Sequence, residues 1–167
     1  PRTEGLPTLA ELALAAINTL DEDPDGFFLM VEGGAIDWAA HANDAGRLVE
    51  ELLDFNAAVA AIEDWVARES NWEETLLIVT ADHETGGLGA PGEGEMRWAP
   101  LAPAGRHQLP AHAWTSDSHT SALVPLYAIG RGSESLATLA EGVDPRRGAY
   151  LDNTALAAAI RALWKHP

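Results

Sequence analysis

The sequence predicts an α/β fold in which a mostly parallel central sheet carries helices on both faces. Two apolar segments, Phe27–Val31 and Thr75–Thr80, are continuous rather than alternating, which is typical of strands buried on both sides. A third short apolar segment, Val124–Ile129, lies further along the chain. Helical stripes separate and flank these segments, and alternation of strands with helices is typical of a sheet covered by helices.

The first predicted element is a helix that begins after Thr8. Thr8 and Glu11 form a capping-box pattern, in which each side chain can bond the backbone amide of the other. Apolar residues then recur at helical spacing as far as Leu20. The following stretch, Asp21–Gly26, is acidic and contains a proline, so it predicts a loop before the first strand.

A long helix is predicted between the first two strands, over Asp44 to Glu69. The glycines at 33 and 34 end the first strand. The apolar residues of the helix step alternately by four and three, so they form one stripe: Leu48, Leu52, Phe55, Val59, Ile62 and Val66.

The second strand is followed by a long loop excursion over residues 84–118, which is rich in Gly and Pro. Such a loop is uncommon inside a compact domain, so it is either a functional excursion or contains a short strand near Met96–Trp98. Pro125 near the start of the third strand allows an edge position. An Ala-rich helix, Asn153–Trp164, closes the predicted order.

Composition narrows the functional classes. The 167 residues include no Cys, so any metal must be held by His, Asp and Glu. The formal net charge is -16, and such a surface repels nucleic acid and anionic membranes, so neither is an expected partner. No apolar run approaches the roughly 20 residues that a membrane span needs. Because Pro1 is not an initiating Met and no apolar leader follows it, we expect a piece of a longer protein.

Potential metal ligands lie beside all three predicted strands. In open α/β sheets, active residues gather just past the carboxyl ends of the strands. His119 precedes the third strand, and it would meet the others if that strand ran antiparallel or if its entry loop folded over the same edge. The candidates are carboxylates and imidazoles: Glu32, Asp37, His41, Asp82, His83 and His119.

One spacing and one position in the sequence suggest how these residues could bind metal ions. Asp37 and His41 are four apart, which on a helix puts both side chains on one face within reach of one zinc ion. A surface Asp–His pair is the alternative, and the spacing alone favours it. Glu32 directly continues an apolar strand, where a carboxylate is costly unless it binds a cation or pairs with a residue such as Arg47. Two zinc ions and a harder ion would suit displacement at phosphorus.

Three motifs closely resemble alkaline phosphatase. They are Phe-Phe-Leu-Met-Val-Glu-Gly-Gly-Ala-Ile-Asp-Trp-Ala-Ala-His at 27–41, Thr-Ala-Asp-His-Glu-Thr-Gly-Gly-Leu at 80–88 and Ser-His-Thr-Ser-Ala-Leu-Val-Pro-Leu-Tyr-Ala at 118–128. The segment 152–154 is similar to that family as well. The resemblance is weakest over 89–113, and it implies an alkaline-phosphatase-like sheet of which this chain is one part.

The resemblance implies a role for each candidate ligand. The first zinc, which activates the hydrolytic water, would be bound by Asp37, His41 and His119. The second zinc, which in the family also holds a serine nucleophile, would be bound by Asp82 and His83, and magnesium by Glu32. Trp38 stands where some relatives carry Lys or His, which makes it a substrate-proximal position.

The sequence lacks motifs that the family uses for catalysis. It contains no Asp-Ser-Ala nucleophile motif, and the serines beside His119 match no nucleophile, so we expect no catalytic residue within 1–167. The nucleophile serine and the phosphate-binding arginine belong to the family's N-terminal half. Residues 1–167 therefore resemble a C-terminal half, which we expect to be inactive alone and to bind one zinc well.

The family implies further expectations. The reaction is hydrolysis of small phosphate monoesters through a phosphoserine intermediate, in a homodimer that is periplasmic or secreted. Related chemistry on the same scaffold stays open, as phosphodiesterase, sulfatase or phosphosugar mutase, although the carboxylate at Glu32 favours the monoesterase. A zinc-binding domain without catalysis is the alternative of a different class.

Overall fold

The fold is mixed α/β, and the computed structural model describes residues 5–91 and 101–165. In chain order, the elements are α1 (Leu9–Leu20), α2 (Ala35–His41), α3 (Ala45–Glu69), β1 (Leu76–Val79), β2 (Glu84–Thr85), β3 (His119–Thr120), β4 (Tyr127–Gly130), α4 (Ser133–Leu136), a 3-10 turn (Ala137–Leu139), β5 (Gly142–Asp144), β6 (Gly148–Tyr150) and α5 (Asn153–Lys165). None of the helices within these residues is long and apolar enough to cross a membrane.

Backbone contacts divide the chain into two compact units. The first unit comprises Pro1–Ala67 and Thr85–Thr120, and the second comprises Arg68–Glu84 and Ser121–Pro167. The buried apolar side chains of the first unit come from its helices: Ala13, Ile17, Ala39, Ala40, Ala58, Trp65 and Val66. In the second unit, Leu136 is buried.

The N-terminal end of α1 is fixed by the predicted capping box. The Glu11 amide donates to Thr8 Oγ1 at 2.9 Å, and the Thr8 amide donates to Glu11 Oε2 at 2.6 Å. These bonds satisfy two backbone donors that would otherwise lack partners at the helix start. Ala13 and Ile17 on the inner face are buried, so the sequence prediction of this helix is confirmed.

The turn between α2 and α3 is built by two consecutive polar residues. Asn43 has φ 53°, a left-handed conformation that Asn tolerates better than most residues. The Asp44 amide bonds the Ala39 carbonyl, and the Asp44 carboxylate accepts from the Arg47 amide at 2.9 Å. Asp44 thus caps α3, which begins one residue after the predicted start and ends at the predicted Glu69.

The sequence predicts a strand buried on both faces at Phe27–Val31, and the structure differs there. The segment has no strand assignment among the described residues, and Phe28 and Met30 are 61% and 75% exposed, so burial on both faces is wrong here. Phe27 packs edge-on against Trp65 of α3, with ring centroids 6.4 Å apart. A strand requires a paired backbone, and the described part of the chain supplies no strand beside this segment.

The described strands do not form the mostly parallel central sheet that was expected. They form three two-stranded sheets, β1 with β4, β2 with β3 and β5 with β6. The β1–β4 pair is antiparallel, with Leu76 opposite Gly130 and Val79 opposite Tyr127. The β5–β6 pair is antiparallel as well. The predicted third strand therefore exists, but it starts at Tyr127, beyond Pro125.

Strand β4 ends at a position that requires glycine. At Gly130, φ is 97° and a Cβ atom would overlap the Thr75 carbonyl.

The second unit also contains elements that the sequence did not predict. The short helix α4 and the β5–β6 hairpin follow β4. The predicted closing helix appears as α5, where the Thr154 amide donates to Asp152 Oδ1 at 2.9 Å at the helix start.

Backbone pairing joins the two ends of the loop excursion over 84–118. β2 pairs with β3, and an isolated antiparallel bridge joins Gly89 to Ala113. Residues 101–112 lie in turns and irregular backbone. The short strand expected near Met96–Trp98 falls outside the described residues.

Candidate metal centre

Three of the predicted ligands, Asp37, His41 and His119, come together within the first unit. The His41 and His119 Nε2 atoms lie 3.0 Å apart, although 78 positions separate them in the sequence. Asp37 Oδ2 lies 3.4 Å from His41 Nε2, and Asp37 Oδ1 lies 3.5 Å from His119 Nε2. We call these three side chains the metal cluster.

The metal cluster is assembled from a helix and a strand end. α2 presents Asp37 and His41 one turn apart, as their spacing predicted. β3 begins at His119, and its pairing with β2 holds that residue in place. His41 Nδ1 donates to the Asp117 carbonyl at 2.5 Å, which fixes the proton on Nδ1 and leaves the Nε2 lone pair directed at the cluster.

The donor atoms of the cluster are spaced close to what one zinc ion requires. Ligand atoms bonded to zinc at about 2.0–2.2 Å lie about 3.3–3.6 Å from one another in tetrahedral geometry. In the cluster, the two Nε2 atoms are 3.0 Å apart, and they lie 3.4 and 3.5 Å from different oxygens of the Asp37 carboxylate. Two imidazoles and one carboxylate with an open fourth position form a ligand set typical of catalytic zinc. The cluster can therefore hold zinc and still accept a water or substrate oxygen.

Thr85 is a cluster neighbour that sequence reasoning missed. Its Oγ1 donates to Asp37 Oδ1 at 2.7 Å. The threonine lies inside a quoted motif, but no spacing rule connects it with a residue 48 positions away. The adjoining Gly86 has φ 87°, and a Cβ there would lie 2.5 Å from the Trp114 ring. The glycine is needed for this close approach.

The segment before His119 forms a tight turn. The Ser118 amide donates to Ser116 Oγ at 2.9 Å, and the Ser118 hydroxyl donates to the Asp117 carboxylate. These bonds show that the hydroxyls of Ser116 and Ser118 stabilise the turn. Trp114 Nε1 is buried and has no hydrogen-bond partner within the described residues. Trp38, next to Asp37, is 75% exposed.

The remaining candidates are Asp82, His83 and Glu32. Asp82 and His83 lie in the second unit just past β1, with His83 Nε2 3.3 Å from Asp82 Oδ2. The Asp82 side chain is 88% exposed. Glu32 is exposed in the first unit, and the Arg47 guanidinium pairs with Glu50 and Glu51 within α3.

A family model and individual relatives both match this chain, and both are described as alkaline phosphatase. The sequence model of a family described as alkaline phosphatase matches residues 1–110. The chain is similar to alkaline phosphatase 3 of Bacillus subtilis (strain 168), with 42% identity over 97 residues. That match covers 58% of this chain and 20% of the relative, so the chain spans a small part of that protein's length.

Solved structures with a similar fold carry the same description. A cold-active alkaline phosphatase from the psychrophile Shewanella sp. has a TM-score of 0.72 over 94% of this chain and 50% of that chain, and at 24% identity it shows a shared fold. A variant of the TAB5 alkaline phosphatase, solved with Mg bound in its M3 site, has a TM-score of 0.60 at 32% identity. It matches 75% of this chain and 35% of that chain.

Proposed function

The chain belongs to the alkaline phosphatase family, and from this premise we propose that it is part of a zinc-dependent phosphomonoesterase. The observation that carries the proposal is the metal cluster, in which the His41 and His119 Nε2 atoms lie 3.0 Å apart and each lies within 3.5 Å of one oxygen of the Asp37 carboxylate, close to the spacing that one zinc ion requires. In this proposal, the cluster is the first zinc site.

The residues around the cluster support this chemistry. When bound, zinc supplies a water of lowered pKa and charge stabilisation for a phosphoryl oxygen. The Asp117 carbonyl sets the tautomer of His41, and the exposed edge of the cluster leaves room for a substrate. The net charge of -16 would repel a phosphate ester, so a bound cation is needed to reverse the local field.

The other two metal sites are part of the same proposal. Asp82 and His83 would contribute to a second zinc site, and Glu32 to a magnesium site. The ligand types support this assignment, because zinc accepts imidazole and carboxylate whereas magnesium prefers oxygen. The exposed indole of Trp38, beside the ligand Asp37, would face the substrate.

The rest of the active site would come from a longer protein. We propose that the remainder supplies the serine that forms a phosphoserine intermediate, the phosphate-binding arginine and the neighbouring strands of a mostly parallel sheet. Residues 1–167 alone would then be inactive towards phosphate monoesters, and 84–118 would serve as a loop excursion beside the site. Homodimer formation and a periplasmic or secreted location complete the proposal. The 20% coverage of the Bacillus subtilis relative supports a missing remainder.

Zinc binding by this chain tests the metal assignment. We expect equilibrium dialysis of metal-stripped protein to give one tightly bound zinc per chain, and His119→Ala to lose it. His107→Asn is the matched control, because His107 is exposed, has φ 60°, which Asn tolerates, and is outside the cluster. Absence of zinc binding, or equal binding by His119→Ala, would contradict the assignment.

Hydrolysis by the longer natural protein tests the reaction. We expect it to cleave a phosphate monoester faster than a phosphodiester or a sulfate ester, and this chain alone to cleave none of them. A preference for the diester or the sulfate ester would favour the related chemistries instead. Zinc binding without any hydrolysis by the longer protein would favour a non-catalytic zinc domain.

A further inference from the structure

We propose that Thr85 is a positioning residue that orients the Asp37 carboxylate for zinc, an inference that rests on the proposed first zinc site. The Thr85 hydroxyl donates to Asp37 Oδ1 at 2.7 Å. The hydrogen bond spans 48 positions of sequence and joins α2 to the strand β2.

The geometry around Asp37 shows what this hydrogen bond controls. Oδ1 accepts from Thr85 and lies 3.5 Å from His119 Nε2, while Oδ2 lies 3.4 Å from His41 Nε2. Each carboxylate oxygen thus faces a different imidazole. The Asp37 side chain is one-third exposed, so without the hydroxyl the carboxylate could rotate towards water and lose this arrangement.

The backbone that carries Thr85 is held on several sides. The Gly86 amide donates to the Ser118 carbonyl at 3.0 Å, and the Gly86 carbonyl accepts from the Thr115 and Ser116 amides, at 3.1 Å each. The Trp114 ring fills the space where a Cβ of residue 86 would be. Since Thr is also β-branched and stiff about χ1, its hydroxyl reaches the carboxylate from a fixed position.

This arrangement matches the known effect of residues that hold metal ligands in place. Groups that hydrogen-bond a metal ligand set its orientation, and their removal typically lowers metal affinity by about 10–100-fold. Because Thr85 bonds the ligand rather than the ion, its loss should weaken zinc binding without removing a donor atom.

Zinc affinity of four proteins tests the proposal: the natural chain, Thr85→Val, Thr85→Ser and Thr115→Val. Valine keeps the threonine shape without the hydroxyl, whereas serine keeps the hydroxyl. Thr115→Val is the matched control, since the Thr115 hydroxyl donates to the Gly87 carbonyl at 3.2 Å on the same pair of segments, and this bond goes to backbone rather than to a ligand carboxylate. Competition with a chromophoric chelator gives the affinity, and the visible absorption of bound Co²⁺ reports the ligand geometry.

We expect Thr85→Val to bind zinc about 10-fold more weakly or worse and to alter the Co²⁺ spectrum, with Thr85→Ser restoring most of both. Thr115→Val should match the natural chain. Equal affinity of Thr85→Val and the natural chain would overturn the role of Thr85, as would equal losses in Thr85→Val and Thr115→Val, or no rescue by serine. If the natural chain itself binds no zinc, the proposed function fails and this inference fails with it.

Discussion

The two proposed zinc sites differ in how completely this chain builds them. In the first unit, the Nε2 atoms of His41 and His119 lie 3.0 Å apart, and each lies within 3.5 Å of one of the two Asp37 carboxylate oxygens. In the second unit, Asp82 and His83 are neighbours in sequence, and Asp82 projects into solvent. The ligands that are distant in sequence thus form the more complete set.

The comparison leads us to expect that contacts which hold the ligands in place matter more for zinc binding than closeness of the ligands in sequence. In the metal cluster, Asp37 accepts a hydrogen bond from Thr85 and His41 donates one to the Asp117 carbonyl. Such contacts reduce the entropy lost when a metal binds, because the donor atoms are already held near their bound positions. We therefore expect the cluster to bind zinc without further protein, and the adjacent pair to need additional ligands.

The largest expected effect compares one ligand from each site. His119→Ala removes one of three cluster ligands and should weaken zinc binding at least about 100-fold, since even loss of a ligand's hydrogen-bond partner costs about 10–100-fold. Asp82→Asn should change the affinity of the first zinc less than about threefold, within the scatter of a surface substitution of about 0.5 kcal/mol. Calorimetric titration of zinc measures both. A larger loss in Asp82→Asn would reverse the comparison.

The next effect concerns Gly86, which the Trp114 ring approaches closely. Gly86→Ala forces a side chain into a left-handed backbone, at about 1–2 kcal/mol, and overlap with the Trp114 ring adds about 1–3 kcal/mol. Chemical denaturation measures the loss of stability, and zinc affinity should fall with it because Gly86 adjoins Thr85.

Gly26→Ala is the control for this substitution. Gly26 has φ 81° and nothing within 4 Å of a Cβ position, so Ala there costs the backbone strain alone. Zinc affinity should stay unchanged in this variant. If the two alanine variants lose equal stability, the Trp114 ring does not exclude a side chain at position 86.

A smaller effect is expected at the start of α3, where a substitution should lower the stability of the fold without changing zinc binding. Asp44→Ala removes the side-chain cap of α3 and should cost about 1 kcal/mol of unfolding free energy. Zinc affinity should be unchanged, because Asp44 lies beyond the C-terminal end of α2 and bonds no cluster residue that we describe. Thermal unfolding and zinc titration of the same sample test both parts, and a matching loss of zinc affinity would show that the cluster depends on helix stability.

The smallest effect is an acid sensitivity of the second unit. The backbone amides of Arg146 and Arg147 hold the pKa of the exposed Asp144 carboxyl below its ordinary value of 3.8. The Thr154 hydroxyl and amide lower the pKa of Asp152 in the same way. A carboxyl with a lowered folded-state pKa stabilises the fold above its unfolded pKa, and this contribution is lost as pH falls through the folded pKa.

NMR of backbone amides checks this acid sensitivity. In the natural chain, the Thr154 amide should lose protection from solvent exchange as pH falls below 3.8. Asp152→Asn keeps a capping oxygen but cannot ionise, so its amide protection should be independent of pH over the same range. Identical pH profiles for the two proteins would show that Asp152 ionisation contributes nothing to the start of α5.

Local signals in the sequence were sufficient for the main helices. The capping box at Thr8 fixed the start of α1, and the apolar stripe located α3 to within one residue. Both depend on side chains three or four positions apart, which the helix itself brings together. The pairing of Asp37 with His41 was predictable for the same reason.

Sequence patterns failed where pairing partners lie far away along the chain. Phe27–Val31 has the apolar composition of a buried strand, but composition does not say which strand lies beside it. The β5–β6 hairpin is local and was missed for a different reason, because its strands are only three residues each, too short for an alternating pattern to stand out. The Thr85 hydrogen bond to Asp37 had no local signal at all.

By itself, the sequence determined the kinds of ligand, the helices that carry them and the family motifs, because these depend on residue type and short spacing. The family resemblance implied that His119 joins Asp37 and His41, but only the tertiary structure decided how closely these side chains approach one another and that Thr85 bonds the carboxylate between the two imidazoles. The physical reason is that a hydrogen bond or a metal site depends on distances of about 2–3.5 Å. Chain folding over dozens of residues sets such distances, and no periodicity in the sequence encodes them.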